Sequence, residues 1–196
     1  MLIAVISGFL LACIAPIVAA STGRLAGWLL ALLPLGLTLY FAQFIEPVAF
    51  GASIATGIDW IPALGIRLSF FLDGLSLTFA LLICGIGTLI IIYAGGYMGH
   101  HPQRGRFFSF LLMFMASMLG LVLADDVLTL FVFWELTSVT SFLLIGFDHT
   151  KPASRRAALQ ALIITGGGGL VLLAGLMLMA AVTHPLMLIY LDQIAS

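Results

Sequence analysis

One carboxylate lies inside an apolar stretch that is long enough to cross a membrane. Glu135 is the ninth residue of the run from Val127 to Phe147, within Phe-Val-Phe-Trp-Glu-Leu-Thr-Ser. At about 1.5 Å rise per residue it lies about 12 Å from one end of a hydrocarbon core about 30 Å thick. An ionisable group there costs about 2.5–3.5 kcal/mol on insertion scales. Glu135 is therefore a candidate for proton or ion handling; the alternative is a structural carboxyl that hydrogen-bonds a neighbouring helix.

Four hydroxyl side chains follow this carboxylate within the same stretch. Only Ser138, three residues after Glu135, shares its helix face. Hydrogen bonds between membrane helices are worth about 1 kcal/mol each. We expect the other three hydroxyls to make such bonds with neighbouring helices: Thr137, Thr140 and Ser141.

Three further carboxylates lie near the ends of predicted spans. Asp73 is predicted in the second turn of the third span, either as part of an outward ion path or as a helix N-terminal carboxylate favoured by the helix dipole. Asp125 and Asp126 form a very short turn before the span of Glu135. We favour a solvated turn and a helix N-cap for this pair. The alternative is a cation-collecting mouth.

No motif for a cofactor or a metal is predicted. The four glycines at 166–169 lack the Gly-Lys-Ser/Thr ending of a phosphate loop, so we expect them to let another helix approach closely. Cys13 and Cys84 both lie in apolar runs without a second ligand nearby, and we interpret both as small core residues.

The composition indicates an integral membrane protein. The chain is 63% hydrophobic and 8% charged, with a mean hydropathy of +1.26, whereas soluble domains carry about 25% charged residues. A net charge of −1 without a basic run excludes a nucleic-acid partner. The partner expected from composition is the lipid bilayer.

The predicted fold class is all-α, a polytopic bundle of about six transmembrane helices. The segment 46–67 is too rich in Gly, Pro and Thr for a span, and we expect extended structure at the membrane surface. Pro34 is predicted to kink the second span, and His184-Pro185 to end the sixth. The spans lie at about Leu2–Ala20, Leu25–Ile45, Leu68–Tyr93, Phe107–Ala124, Val127–Phe147 and Ala157–Val182.

Basic residues are concentrated in alternate loops, which predicts the orientation. Such loops stay cytoplasmic, so both termini and the Asp125-Asp126 turn are predicted outside. The loops after spans one, three and five carry six of the seven basic residues: Arg24, Arg104, Arg106, Lys151, Arg155 and Arg156.

Three segments resemble one family: 72–82 (Leu-Asp-Gly-Leu-Ser-Leu-Thr-Phe-Ala-Leu-Leu), 93–98 (Tyr-Ala-Gly-Gly-Tyr-Met) and 131–138. It is the large antiporter-like membrane subunit shared by Mrp-type (Pha/Mnh) multisubunit sodium/proton antiporters and respiratory complex I, and the chain is most similar to the N-terminal part of the large Mrp subunit. The resemblance covers roughly 60–182. It implies that Glu135 takes part in proton translocation and pairs with a lysine on a seventh span. It also implies Na⁺ and H⁺ as transported ions, other antiporter subunits as partners and the bacterial cytoplasmic membrane as location.

The sequence ends before such a seventh span, so we expect an N-terminal piece of a longer subunit. We predict an N-terminal membrane region over 1–106 and the start of the proton-translocating repeat over 107–196, cut off after helix six. The single lysine, Lys151, lies in a loop, and Glu135 has no basic partner within any predicted span. The remaining alternatives are a proton-pumping subunit of a complex I-like NADH:quinone oxidoreductase and a non-transporting membrane scaffold.

Overall fold

The structure is a computed structural model that describes residues 1–61, 66–99 and 101–195. Long helices dominate it, and two strands, β1 (Ile54–Ile61) and β2 (Ile66–Leu72), form a hairpin. A single 3-10 turn links the first two helices. The helices are α1 (Leu2–Thr22), α2 (Ala26–Ala42), α3 (Ile45–Ala49), α4 (Gly74–Tyr97), α5 (Arg104–Leu123), α6 (Val127–Ile145) and α7 (Pro152–Ala195).

The predicted helical membrane bundle is confirmed. Among the described residues, α1, α4, α5, α6 and the Pro152–Met179 part of α7 are long and apolar enough to cross a membrane. Helix α2 is also apolar but has only 17 residues, which is the lower limit for a spanning helix. Each of the six predicted spans thus corresponds to one of these helices.

Helix α5 occupies the centre of the bundle and packs against α1, α4 and α6, while α2 packs on α4 and α7 packs on α6. Small residues bring α1 and α5 close together. A methyl group added at Gly8 of α1 would lie 2.8 Å from the Cβ of Ala116 of α5. The face of α1 toward α5 therefore carries alanines, and Cys13, on another face, is exposed. The prediction of a core position is wrong for Cys13 and right for Cys84, which is buried.

The hairpin covers more of the chain than predicted. Extended structure was expected up to residue 67, but β2 continues to Leu72, so the predicted start of the third span at Leu68 is wrong. Phe70 and Leu72 are fully buried and alternate with less buried neighbours, which is the two-residue period of a strand with one buried face. Helix α4 begins only after this strand.

Helix α7 is longer at both ends than the predicted sixth span. It begins at Pro152, and proline suits the first helical position because the N–H group there needs no helical partner. The helix continues to Ala195, so the prediction that His184-Pro185 ends it is wrong. A proline inside a membrane helix removes one backbone donor, a loss that neighbouring groups in membrane proteins can compensate.

Candidate functional site

Helix α6, which carries Glu135, begins after the N-cap residue Asp126, and both carboxylate oxygens of Asp126 accept hydrogen bonds. Asp126 Oδ1 accepts hydrogen bonds from the backbone N–H groups of Leu128 (2.9 Å) and Thr129 (2.8 Å). Its Oδ2 accepts from the hydroxyls of Ser69 (2.6 Å) and Thr129. Burial raises the pKa of Asp126, but the hydrogen bonds from Ser69 and Thr129 outweigh burial, and the net effect is a lowered pKa. The predicted N-cap is confirmed. The hydrogen bond from Ser69 to the same carboxylate also links β2 to the start of α6.

Asp125, in the same turn, is exposed, and its backbone N–H donates to the carbonyl of Ser69 at 3.0 Å. The turn between α5 and α6 is therefore held against the hairpin by main-chain as well as side-chain bonds. The exposure of Asp125 agrees with the solvated turn residue expected from the sequence.

Asp73 is the N-cap of α4 rather than a residue of its second turn, because the helix begins at Gly74. Its Oδ1 accepts from the backbone N–H of Ser76 (2.8 Å), and its own N–H donates to the Ser76 hydroxyl (2.8 Å). This reciprocal pair is a capping box. The backbone hydrogen bond from Ser76 is the main cause of a lowered pKa at Asp73. The geometry thus gives Asp73 the role of a helix N-terminal carboxylate.

Glu135 lies on the side of α6 that faces α7. Its Oε1 is buried and accepts no hydrogen bond from any residue that the structure describes. A methyl group added at Gly169 would overlap this oxygen, and one added at Gly166 would lie 3.8 Å from Oε2. Methyl groups at Gly167 and Gly168 would meet open space. Two of the four glycines therefore form the surface on which the carboxyl group packs, and the expected close approach of another helix is observed.

Trp134, the residue before Glu135, is part of the same contact, and the sequence reasoning did not single it out. A methyl group at Gly169 would lie 2.9 Å from Cδ1 and 3.0 Å from Nε1 of Trp134. The indole Nε1 is buried and has no hydrogen-bond partner in the described part of the chain. The sequence did contain a signal for Trp134: its indole N–H is a polar donor inside an apolar span, and such a donor usually has a hydrogen-bond partner when it is buried.

The four hydroxyl groups that follow Glu135 donate to backbone carbonyls and not to the Glu135 carboxyl group. Ser138 is buried, but its hydroxyl donates to the carbonyl of Trp134 at 3.2 Å and not to Glu135. The predicted interhelical bonds of the other three hydroxyls are also wrong. Each donates to a carbonyl of α6 itself, because the carbonyl three or four residues earlier is the nearest acceptor in an apolar helix: Thr137 to Trp134, Thr140 to Leu136, and Ser141 to Ser138.

A cleft of about 480 Å³ connects several of these residues. Asp73 and Asp125 line it where α4 and α6 begin, Trp134 and Leu130 line it along α6, and Leu172 lines it from α7. The structure therefore brings two of the predicted acidic residues to one cleft that reaches the neighbour of Glu135. Across the described residues, no three His, Cys, Asp or Glu side chains form a metal-binding group.

Comparison with known proteins identifies the family. The family model described as NADH-Ubiquinone oxidoreductase (complex I), chain 5 N-terminus, matches residues 60–108, and the model described as NADH:quinone oxidoreductase/Mrp antiporter, TM, matches residues 124–195. The A1 subunit of the Na(+)/H(+) antiporter of Staphylococcus aureus is 42% identical over 195 residues, which are 99% of this chain and 24% of that protein. The chain thus spans about a quarter of the length of the curated relatives it matches.

One solved structure supports the same family, and a second supports the fold. A chain in the structure of the Mrp complex from Dietzia sp. DQ12-45-1b aligns with a TM-score of 0.83 and 40% identity, over 93% of this chain and 19% of that one. The membrane-bound sulfane sulfur reductase, an archaeal respiratory membrane complex, aligns with a TM-score of 0.74 over 93% of this chain and 28% of that chain, and its 19% identity supports the fold alone.

The chain belongs to the family of antiporter-like membrane subunits that complex I and Mrp antiporters share. Within that family it is homologous to the N-terminal region of the large Mrp antiporter subunit. Its relatives at 40–42% identity are parts of secondary transporters rather than enzymes.

Proposed function

We propose that this chain is the N-terminal portion of a membrane subunit of a multisubunit monovalent cation/proton antiporter, and that Glu135 takes part in moving the proton. The observation that carries the proposal is the Glu135 Oε1 atom, which is buried on a membrane helix without a partner in the described residues. Other acids near the site are already engaged, because Asp73 and Asp126 cap helices. Asp125 is exposed to solvent, so among these acids Glu135 is the one whose carboxyl oxygen is buried without a described partner.

The chemistry follows from the cost of an unpaired charge. A buried carboxylate without a donor or cation is unfavourable by several kcal/mol. A proton or a cation at Oε1 would offset this cost, and the proposed transport step exchanges one for the other. No described residue forms an ion pair with Glu135, so this cation comes from another part of the same protein or from a partner protein. The lysine of a later span, which the family resemblance implies, has the required chemistry.

The proposal includes partners and location. The relatives are named as subunits, and the Mrp structure is a complex, which supports other antiporter subunits as partners and Na⁺ and H⁺ as the transported ions. The exposed apolar sides of the helices suit a lipid bilayer. The proposed location is the cytoplasmic membrane of a bacterium, with both termini on the outer side. The division at residue 106, with the proton-translocating repeat starting at 107, remains a prediction.

A second candidate is a proton-pumping subunit of a complex I-like oxidoreductase. The match of residues 60–108 to a complex I family model favours it. In that case redox turnover, and not a sodium gradient, would drive the proton through Glu135. The test is whether sodium alone moves protons in vesicles that contain the complex without an electron donor.

The experiment on the proposal is Glu135→Gln in the complete complex, measured as sodium-induced proton flux in membrane vesicles and normalised to assembled complex. Gln keeps the shape of the side chain but cannot titrate, so we expect flux to be lost while assembly persists. Glu46→Gln is the matched control because Glu46 is exposed on the short helix α3, and it should leave the flux unchanged. Near-normal flux with Glu135→Gln would reject the proposal.

A further inference from the structure

The buried residues of α6 other than Ser138 lie on one face of the helix. They are Thr129, Phe133 and Thr140, and at about 100° per residue they fall within about 40° of one another. Glu135 comes two residues after Phe133 and lies about 200° further round the helix. The rotation of α6 about its axis, which this buried face fixes, therefore decides the direction in which Glu135 points.

The ring of Phe133 fills a tight site between α5 and β2. A methyl group added at Gly120 of α5 would overlap this ring. The ring also packs against Phe70 of β2, and the two ring centroids lie 5.9 Å apart. Both phenylalanines belong to the hydrophobic core. Because a close-packed interior resists the movement of a large side chain, this site restricts the rotation of α6.

The strand that contributes Phe70 is itself held against α6. The backbone N–H of Ser69 donates to Thr129 Oγ1 at 3.1 Å, and Thr129 lies one helical turn before Phe133 on the same face. Phe70 also pairs with Ala124, the residue after α5, in an antiparallel bridge. The hairpin thus contacts α6 at two successive turns, of which Phe133 is the second.

A second glycine contact lies on the other side of α6. A methyl group at Gly169 of α7 would overlap Glu135 Oε1 and would lie 2.9 Å from Cδ1 of Trp134. Helix α6 is therefore packed against a glycine on each side, against Gly120 through Phe133 and against Gly169 through Glu135. A rotation of α6 that relieves an overlap at Gly120 would move Glu135 relative to Gly169.

We propose that Phe133 is a positioning residue: packed between Gly120 and Phe70, it sets the rotation of α6 and thereby directs Glu135 toward α7. The consequence for transport rests on the proposed function of Glu135. A carboxyl group that points away from α7 is misplaced for the proton step, and a misplacement of about 1 Å can lower a rate about a hundredfold.

The test measures the orientation of α6 through a disulfide in the complete complex. Glu135→Cys and Gly169→Cys are combined, and the disulfide between them is quantified by mass spectrometry after oxidation and proteolysis. We expect it to form in this parent and to be lost when Gly120→Ala is added. It should return when Phe133→Leu is added as well, because Leu lacks the outer ring atoms. Gly36→Ala is the control, since a methyl group there meets nothing within 4 Å, and it should leave the yield unchanged.

Phe70→Leu tests the contribution of the hairpin and serves if Gly120→Ala does not assemble. Leu keeps an apolar side chain but removes the ring contact with Phe133, so the disulfide yield should fall. A yield at the parent level with either variant in an assembled complex would contradict the inference. Absence of the disulfide from the parent would contradict it too.

Failure of this inference can be told from failure of the proposed function, because the disulfide does not depend on transport. With Glu135 intact, Gly120→Ala should lower the sodium-induced proton flux per assembled complex about tenfold or more, and Gly120→Ala with Phe133→Leu should recover it. Normal flux in a Gly120→Ala complex that has lost the disulfide would contradict the role of Phe133 in transport. Flux retained by Glu135→Gln would reject the proposed function, whatever the disulfide yield.

Discussion

At the scale of single residues, the acidic side chains of Asp73, Asp126 and Glu135 fall into two groups: those whose oxygens accept hydrogen bonds, and Glu135, which has a buried oxygen without a described partner. Asp126 and Asp73 accept two or more hydrogen bonds each and begin helices. Glu135 Oε1 and Trp134 Nε1 lie buried without a partner in the described chain. Carboxylates that accept hydrogen bonds stabilise the fold. A buried carboxylate without a partner is unfavourable, and binding a proton or a cation lowers its free energy.

The cap at Asp126 predicts a specific dependence on pH. Because its folded-state pKa is lowered, its contribution to stability is fully present above the ordinary Asp value of about 3.9 and is lost as the pH falls through the folded-state value. Asp126→Ala should lower the free energy of unfolding by about 0.5–2 kcal/mol at neutral pH. Asp126→Asn, which still caps, should lose less. Thermal unfolding between acidic and neutral pH measures both, and an Ala variant that is equally destabilised at strongly acidic pH would contradict the assignment.

The glycines of α7 allow a comparison between neighbouring positions. Gly169→Ala would push a methyl group into Glu135 Oε1 and Trp134, whereas Gly168→Ala would meet open space. Overpacking of a close contact costs about 1–3 kcal/mol. We expect Gly169→Ala to lower the melting temperature of the assembled complex and its proton flux, and Gly168→Ala to leave both near wild type. Equal behaviour of the two variants would show that α7 does not pack on Glu135 as described.

At the scale of helices and strands, the sequence predicted which segments cross the membrane better than how they pack. Long apolar runs are a strong signal for spans, and each run became a helix. The faces could not be predicted, because helices that are apolar all round carry no periodic signal. The part of β2 from Leu68 to Leu72 was missed, because its apolar residues were assigned to the start of the third span. Its pairing with β1 and its bonds to Asp126 depend on residues distant in the sequence.

The role of Glu135 as the site stays a prediction, and the contacts around it were anticipated only in part. Glu135 stood out because a carboxylate within an apolar span is rare. The acceptors predicted for the hydroxyl groups were wrong. Residue spacing predicts the helix face on which a hydroxyl lies, but it does not show that a carbonyl of the same helix competes for its hydrogen bond. Trp134 and Gly169 were not recognised as a pair, because their contact forms only when α6 and α7 pack together.

A glycine contact also sets the crossing of α2 and α4. A methyl group at Gly95 would lie 2.8 Å from the Cα of Gly27, while one at Gly96 would meet nothing within 4 Å. Gly95→Ala should therefore separate the two helices and destabilise the complex by about 1–3 kcal/mol. Gly96→Ala is the control on the same helix. Thermal unfolding in detergent measures the difference, and equal stability of the two variants would contradict the close crossing.

At the scale of the whole molecule, the charged loops are sorted between two ends. At one end Arg106 Nη2 donates to the carbonyl of Phe147 at 2.9 Å, which joins the start of α5 to the loop before α7. At the other end the hairpin bonds to the turn at Asp125 and Asp126. Loops predicted on the same side of the membrane therefore lie together in the fold.

This arrangement predicts the outcome of labelling. Cysteines introduced at His101 and at Asp59, both exposed, should react with a membrane-impermeant maleimide from opposite sides of the membrane, with His101 on the cytoplasmic side. The chain without added cysteines is the control for Cys13 and Cys84. Labelling of both sites from the same side would contradict the predicted orientation.

The central claim, that Glu135 carries a proton, is tested most directly by the order of activity among three side chains. Glu135→Asp keeps an acid but shortens it by one methylene, and Glu135→Gln keeps the length but cannot titrate. Sodium-induced proton flux in vesicles, normalised to assembled complex, should rank wild type first, Asp second with part of the activity, and Gln last with none. A structural carboxyl would give a different order, because Gln can still hydrogen-bond a neighbouring helix. Flux with Gln equal to or above that with Asp would contradict the claim.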